Sequence, residues 1–244
     1  MARKKILVIF YSLSGQTLKA IQSIADPIRT AGHRVDIERI ETMSDRYRIP
    51  YNPKLLLWEW GLCWSGQTLR VPIKPVIPPL PPEEYDAVIV GYQTWYLEPS
   101  IPVASWLETR NARDLLYGKP IFSVVTARST WKQSLQRFTE AVSRLGGHVV
   151  DNFAICASNP SPHNIVLLSH MLFNGRDPNE GWRTKLGPFG IGEEGVESAR
   201  LYGQMLALRF SKEEHDTMTS ALESNPPSLD EMDHGPQASR PGRG

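Results

Sequence analysis

The sequence predicts an α/β fold, a doubly wound parallel sheet of five strands with helices on both faces. Two observations carry this. Short apolar, β-branched runs recur along residues 4–157, and amphipathic helical stretches alternate with them. The chain has 244 residues, 41% of them hydrophobic, enough for one domain with a sizeable core.

Each element has a local reason. "KKILVIFYS" (4–12) is an apolar run of the kind found in a strand buried on both faces. From Thr17 to Ala31 the apolar residues Leu18, Ile21, Ile24, Ala25 and Ile28 return at helical spacing. "GHRVDIERI" (32–40) begins at a helix-ending glycine and continues as a strand. "YDAVIVGYQ" (85–93) and "KPIFSVVTA" (119–127) are further buried strands, and "HVVDNFAICA" (148–157) is the last. Helices are expected at "PVASWLET" (102–109), where Pro102 suits a helix start, and at "SLQRFTEAVSRLGG" (134–147), which glycines stop. A later helix over 193–210 carries Val196, Ala199, Leu201, Tyr202, Met205, Leu206 and Leu208 as its apolar residues.

Two regions break the rhythm. Residues 43–84 form a long insertion before the third strand, with a Leu- and Trp-rich part and then six prolines between Pro72 and Pro82. Proline-rich chain is stiff and extended, and so long a connection suggests a flap over a site. Leu55, Leu56, Leu57, Trp58, Trp60, Leu62 and Trp64 are expected either to wall a pocket or to cover the sheet or a partner subunit. After the last strand, 158–210 reads as a helical extension of the single domain 1–210, and 211–244 as an acidic, largely disordered tail.

Charge and cysteine content exclude several classes. The net charge is +1, so nothing marks a nucleic-acid binder. No stretch reaches the roughly 20 apolar residues of a membrane span. "LLLWEWGLCW" has one acidic residue and almost no basic face, which argues against lipid contact. The basic start "MARKK" is followed only by "ILVIF", too short for a signal peptide, so the expected location is cytoplasmic. Cys63 and Cys156 show no metal-like spacing, and Cys156, closing an apolar strand, reads as a buried core thiol. His163 and His170 lie seven apart without a third ligand, so no metal site is expected.

"SGQTL" occurs twice, at 14–18 and at 65–69. The first copy follows a buried strand and opens a helix, where free N–H groups and the helix dipole favour an anion. Ser12, Ser14 and Thr17 add hydroxyls, Gln16 an amide, and Gly15 permits close backbone approach. The alternative is an ordinary capped helix start. No buried strand leads into the second copy, the prolines stop any helix that might follow it, and its repetition reads as chance.

The loops after the third and fourth strands fall on the same edge. They bring Thr94, Trp95, Tyr96 and Leu97, and Thr126, Ala127, Arg128, Ser129 and Trp131. Aromatic groups there suit a planar ring, or pack as ordinary loop residues.

"YSLSGQT" after the first strand and "GYQTWYLEPSIPVASWL" after the third resemble the flavodoxin-like FMN-binding family, some of whose members are NAD(P)H:quinone reductases. Ser12, Ser14, Gly15 and Thr17 match its phosphate loop. Gly91, Thr94, Trp95, Pro102 and Val103 match its ring loop, with Gln93 where that family often has proline. The resemblance covers about residues 3–157. It implies FMN, with the phosphate on 12–17 and the flavin between 94–97 and 126–131. NAD(P)H as electron donor and a homodimer follow from the same resemblance. The insertion, the ring loop and "GPFGIGEEGVESARLYGQML" (187–206) also look like a subgroup called dialkylresorcinol condensing enzymes. No nucleophile set supports condensation here.

The expected function is an FMN-dependent oxidoreductase acting on an apolar, aromatic or quinone-like small molecule in a biosynthetic pathway. Tyr96 would donate to a substrate oxygen, and Arg128 would stabilise negative charge on the ring or substrate. A flavodoxin-type electron carrier and a flavin-free scaffold beside a condensing enzyme are the other readings.

Overall fold

A computed structural model describes residues 3–47, 49–64, 69–95, 97–158, 162–176, 178–186 and 189–224, with some helical side chains left undescribed. Arg3–Ala207 form one compact unit. The chain from Leu208 onward groups separately, and its described part is helix as far as Ser224.

The strands are β1 (Lys5–Phe10), β2 (Arg34–Arg39), β3 (Ala87–Trp95), β4 (Glu98–Pro99), β5 (Pro120–Ala127) and β6 (His148–Cys156). The helices are α1 (Gln16–Thr30), α2 (Pro53–Trp64), α3 (Ile101–Trp106), α4 (Arg110–Leu116), α5 (Lys132–Arg144), α6 (Pro162–Asn174) and α7 (Gly192–Ser224). Five strands pair in parallel in the order β2-β1-β3-β5-β6, which is the flavodoxin-like doubly wound order. The sixth, β4, is a two-residue strand paired antiparallel to the end of β3, with Thr94 opposite Pro99 and Trp95 opposite Glu98. No helix among the described residues is long and apolar enough to cross a membrane.

The strand residues are buried because both faces are covered. Leu7, Ile9, Val88, Val90 and Tyr92 belong to the core that includes Trp106, Leu115 and Phe138 of α3, α4 and α5. Tyr92 stacks on Phe138 with ring centres 4.7 Å apart. The neighbouring positions Ile6, Val8, Phe10, Ile89 and Gly91 alternate to the other face. There α1 lies so close that a Cβ on Gly91 would stand 2.8 Å from Ile21 Cδ1.

α7 lies against the outer side of α1. A Cβ on Gly203 would meet the Ile24 carbonyl oxygen at 2.4 Å. Tyr202 stacks on Phe153 of β6 at 4.5 Å, and its hydroxyl donates to Asp151 at 3.1 Å. Thus α7 is the closing helix of the doubly wound fold, and α6 is the added element. The apolar face expected for this helix needs correcting. Ala199, Tyr202 and Leu206 are buried, but Leu201, Met205 and Leu208 are exposed. The helix also runs through the segment read as the start of a tail.

The insertion is not an extended flap. It holds a short 3-10 turn (Asp45–Tyr47) and the helix α2. Its proline-rich part is strapped along α3 and α4. Val71 N–H donates to Ser105 Oγ at 3.0 Å, and the Asn111 amide pairs with both the N–H and the carbonyl of Val76, each at 2.9 Å. Glu59 of α2 is fully buried and accepts from Arg46 Nε at 2.5 Å, Tyr47 at 3.1 Å and Tyr51. A buried carboxylate needs such partners, and these three tie α2 to the chain before it. Burial and the Glu59 charge raise both tyrosine pKa values, so the phenols stay protonated donors.

Two substitutions test this packing. Alanine is favoured over glycine in a helix interior by about 1 kcal/mol. Gly203→Ala should nonetheless lower stability by about 1–2 kcal/mol in urea unfolding, because its new Cβ meets backbone, which cannot step aside. A gain would show that α1 and α7 are not in close contact.

The second test concerns Glu98, whose side chain is 4% exposed and ion-paired with Arg137 of α5. Burial raises the Glu98 pKa, and Arg137 opposes that rise. Arg137→Met should cost about 2 kcal/mol near neutral pH, discounted because Arg137 is 38% exposed. A raised carboxyl is stabilised when protonated, so the deficit should shrink as pH falls through the carboxylate range. A pH-independent deficit would locate the loss in packing instead.

Candidate functional site

The carboxyl ends of β1, β3 and β5 meet at one edge, as parallel pairing requires. Over them lies a cavity of about 590 Å³. It is lined by Ser14 and Gln16 from the first loop, Thr94, Trp95 and Leu97 from the third, and Thr126, Ala127, Arg128 and Ser129 from the fourth. Those nine expected residues therefore share one site. Ser12, Gly15 and Thr17 lie in the same loop without lining the cavity, and Trp131 lines a smaller hollow of about 270 Å³ beside Leu97 and Ser129. Tyr96 and the second SGQT lie outside the described residues.

The first loop has a consistent hydrogen-bond polarity. Ser12 Oγ accepts from Leu18 N–H at 3.3 Å, Ser14 Oγ accepts from Gln93 Nε2 at 3.1 Å, and Gln16 Oε1 accepts from Ile191 N–H at 3.0 Å. Each contact uses an acceptor oxygen. The Ser14 hydroxyl proton and the Gln16 Nε2 protons remain available as donors. Thr17 is fully buried and its hydroxyl bonds Thr126 at 2.7 Å, so Thr17 joins α1 to β5.

Gly15 precedes α1 at φ 78°, a left-handed conformation that suits glycine, and no atom lies within 4 Å of where its Cβ would be. A helix leaves its first N–H groups without intrahelical partners. Among the described residues, the N–H groups of Gly15, Gln16 and Thr17 are given to no other group.

Several site residues carry roles that the sequence reading missed. Gln93 holds the first loop by two contacts, since its Oε1 also accepts from Leu13 N–H at 3.0 Å. Its signal was the departure from proline in "GYQTW". Gly190, at φ 87°, leaves room for Gln16, whose Oε1 would stand 2.1 Å from a Cβ there. The carbonyl of Gly190 also accepts from Ser158 N–H at 3.0 Å. The glycines of "GPFGIG" were the signal for this turn.

The apolar wall comes from α6, not from the insertion. Ile165, Leu168 and Leu172 line the cavity with Phe189, and no described insertion residue does. Leu57 and Trp58 are 73% and 54% exposed. The insertion instead backs the site. Tyr47 packs against Trp95 at 5.6 Å, and Tyr51 N–H donates to Leu172 O at 2.5 Å.

Cys156 is not the buried core thiol expected. It is exposed at the end of β6, near the Ser129 carbonyl at 3.6 Å, and partial burial raises its pKa. His170 lies edge-on to Trp182 at 5.9 Å, and His163 is exposed. Among the described residues, no three His, Cys, Asp or Glu side chains cluster as metal ligands.

No protein-family model matches the chain, and no curated protein matches it in sequence. Among solved structures, it is similar to a flavodoxin from the domain Archaea, with 12% identity over 84% of this chain and 97% of that one, TM-score 0.45. It is similar to oxidised flavodoxin 2 from Bacillus cereus, with 16% identity over 85% and 99%, TM-score 0.45. It is also similar to an NAD(P)H:quinone oxidoreductase from Methanothermobacter marburgensis, with 13% identity over 84% and 96%, TM-score 0.39. At these identities the likenesses carry no activity over to this chain, whose flavodoxin-like fold stands on its own strand order.

Proposed function

We propose that the chain is an FMN-dependent oxidoreductase acting on an apolar, aromatic or quinone-like small molecule. The observation that carries it is the donor-rich start of α1 opening beside a half-apolar cavity at the carboxyl edge of the sheet. The residues present fit the phosphate of FMN. The ungiven N–H groups of 15–17, the Ser14 hydroxyl and Gln16 Nε2 would hold it, because every protein contact of Ser14 and Gln16 uses the opposite, accepting side. Ser12 and Thr17 would support that loop from within.

The cavity size suits a cofactor or a drug-sized ligand. Thr94, Trp95, Tyr96 and Leu97 on one side, with Thr126, Ala127, Arg128, Ser129 and Trp131 on the other, are the residues proposed for the ring. FMN in this place supplies hydride or electron transfer, with NAD(P)H as electron source. The chain supplies orientation: Phe189 and the α6 residues Ile165, Leu168 and Leu172 give the cavity an apolar side. Tyr96 as a donor to substrate and Arg128 as a charge stabiliser belong to the same proposal. A homodimer fits the exposed Leu201 and Met205 on α7. The dialkylresorcinol likeness adds a biosynthetic setting.

One observation favours a second reading, a flavin-free binder of a small molecule. The loop side chains already have protein partners, and the 189–191 turn is anchored on Gln16.

Visible absorbance of the purified protein, followed by FMN titration, decides between them. Flavin bands or saturable FMN binding are expected. Gly15→Asp should weaken FMN binding at least about 100-fold by placing a carboxylate at the helix start, at a stability cost of about 1–2 kcal/mol for a side chain held at left-handed φ, and thermal unfolding checks that the variant is folded. A protein that stays colourless and ignores FMN at tens of micromolar leaves the flavin-free reading.

A further inference from the structure

α6 turns a buried stripe toward the core, and the first member of that stripe is polar and also lines the cavity. Asn164, Leu167 and Met171 are 3%, 0% and 7% exposed, at spacings of three and four. An apolar residue would satisfy that stripe at no desolvation cost. Asn164 instead buries an amide whose Nδ2 has no hydrogen-bond partner among the described residues, and the residue lines the cavity beside Ile165, Leu168 and Leu172. A buried donor left unmade costs about 1–3 kcal/mol. The same cavity holds a second buried and unpartnered group, the hydroxyl of Thr94 at the end of β3. A ligand that carries an acceptor oxygen supplies the partner that such a donor lacks.

We infer that the α6 side of the cavity is the substrate subsite, and that it takes a compact apolar ring system bearing a carbonyl oxygen, which Asn164 Nδ2 binds. The apolar body lies on Ile165, Leu168, Leu172 and Phe189. The inference rests on the small-molecule chamber proposed above and does not require the flavin. It deepens that reading by naming a chemical handle, an oxygen acceptor rather than a charged group. Among the described residues no carboxylate, lysine or histidine lines this cavity, and its charged member, Arg128, belongs to the exposed loop after β5. The specificity follows from a general asymmetry. An apolar pocket discriminates weakly by shape, whereas an unmade buried hydrogen bond strongly disfavours the analogue that lacks the oxygen.

The test is calorimetric titration of the full chain with 1-tetralone, and with tetralin as the same ring system without the oxygen. The ketone should bind at least about ten-fold tighter than the hydrocarbon, as one hydrogen bond allows. Asn164→Asp, nearly the same shape but without the donor, should erase that preference by weakening the ketone alone. Asn164→Leu should do the same and should bind tetralin as well as the parent does, or better. Thermal unfolding identifies a variant that has lost its fold, and the other variant then decides. An unchanged ketone preference in a folded variant overturns the assignment, and so does failure of 1-tetralone to bind the parent. Each titration is repeated with saturating FMN. A protein that ignores FMN but keeps an Asn164-dependent ketone preference retires the flavin reading and keeps this one. A protein that binds FMN without that preference does the reverse.

Discussion

The close approach of α1 to its two neighbours governs the rest of the structure. Beneath it, Gly91 of β3 brings the sheet up to Ile21, and outside it Gly203 of α7 brings backbone up to the Ile24 carbonyl. Neither contact tolerates a side chain without movement. The helix is therefore held on two sides along the turns that follow its N-terminal loop. From this follows the position of the turn at 189–191, because the start of α7 reaches Gln16 only if α7 lies flush against α1. The anion-suited loop, the closing helix and the floor of the cavity are thus consequences of one packing geometry.

A second layer of constraint comes from the additions to the fold. The insertion and α6 are far apart in sequence but meet where Tyr51 donates to the Leu172 carbonyl. Glu59 makes that meeting rigid, since a carboxylate with no exposed surface is stable only with its donors in place. Tyr47, held by Glu59, packs against Trp95, and Trp95 in turn faces the cavity. The insertion thereby shapes the site, although none of its described residues lines the cavity. On the opposite flank, Glu98 and Arg137 tie the β3–β4 turn to α5. The walls of the cavity are supported by buried polar contacts behind them, as a pre-formed site requires.

The five parallel strands were legible because burial on both faces writes itself as apolar, β-branched runs, and the first loop was legible because a strand leads in and a helix leads out. β4 escaped notice, since two residues carry no periodicity. α2 was obscured by its neighbours: the prolines after it suggested extended chain, while "KLLLWEWGLCW" is apolar on all sides and shows no helical face. The exposure of Cys156 was hidden for a similar reason, because a strand's last residue looks like its interior in sequence but stands at the edge in space. Likewise, Leu201 and Met205 look like core until Gly203 and Ala199 are seen to form the close-packed side. Asn164 had a sequence signal, a polar residue at helical spacing from the apolar Leu167 and Met171, but that signal acquires meaning only when the helix is known to line a cavity.

The polarity of these contacts argues for what the site is built to receive. Around the first loop the protein consumes acceptors and leaves donors: the hydroxyl of Ser14, the amide nitrogen of Gln16 and the leading N–H groups of α1. Across the cavity, the unpartnered Asn164 nitrogen is again a donor, and the hydroxyl of Thr94 can serve as one. Donors together with apolar side chains in one chamber suit a guest that carries both oxygens and an apolar body. Phosphate and carbonyl oxygens satisfy the donors, whereas a hydrocarbon or a cation would leave them buried and unmade. Where α6 and Phe189 line the chamber with apolar side chains, a hydrogen bond to an oxygen counts for more than it does in open water.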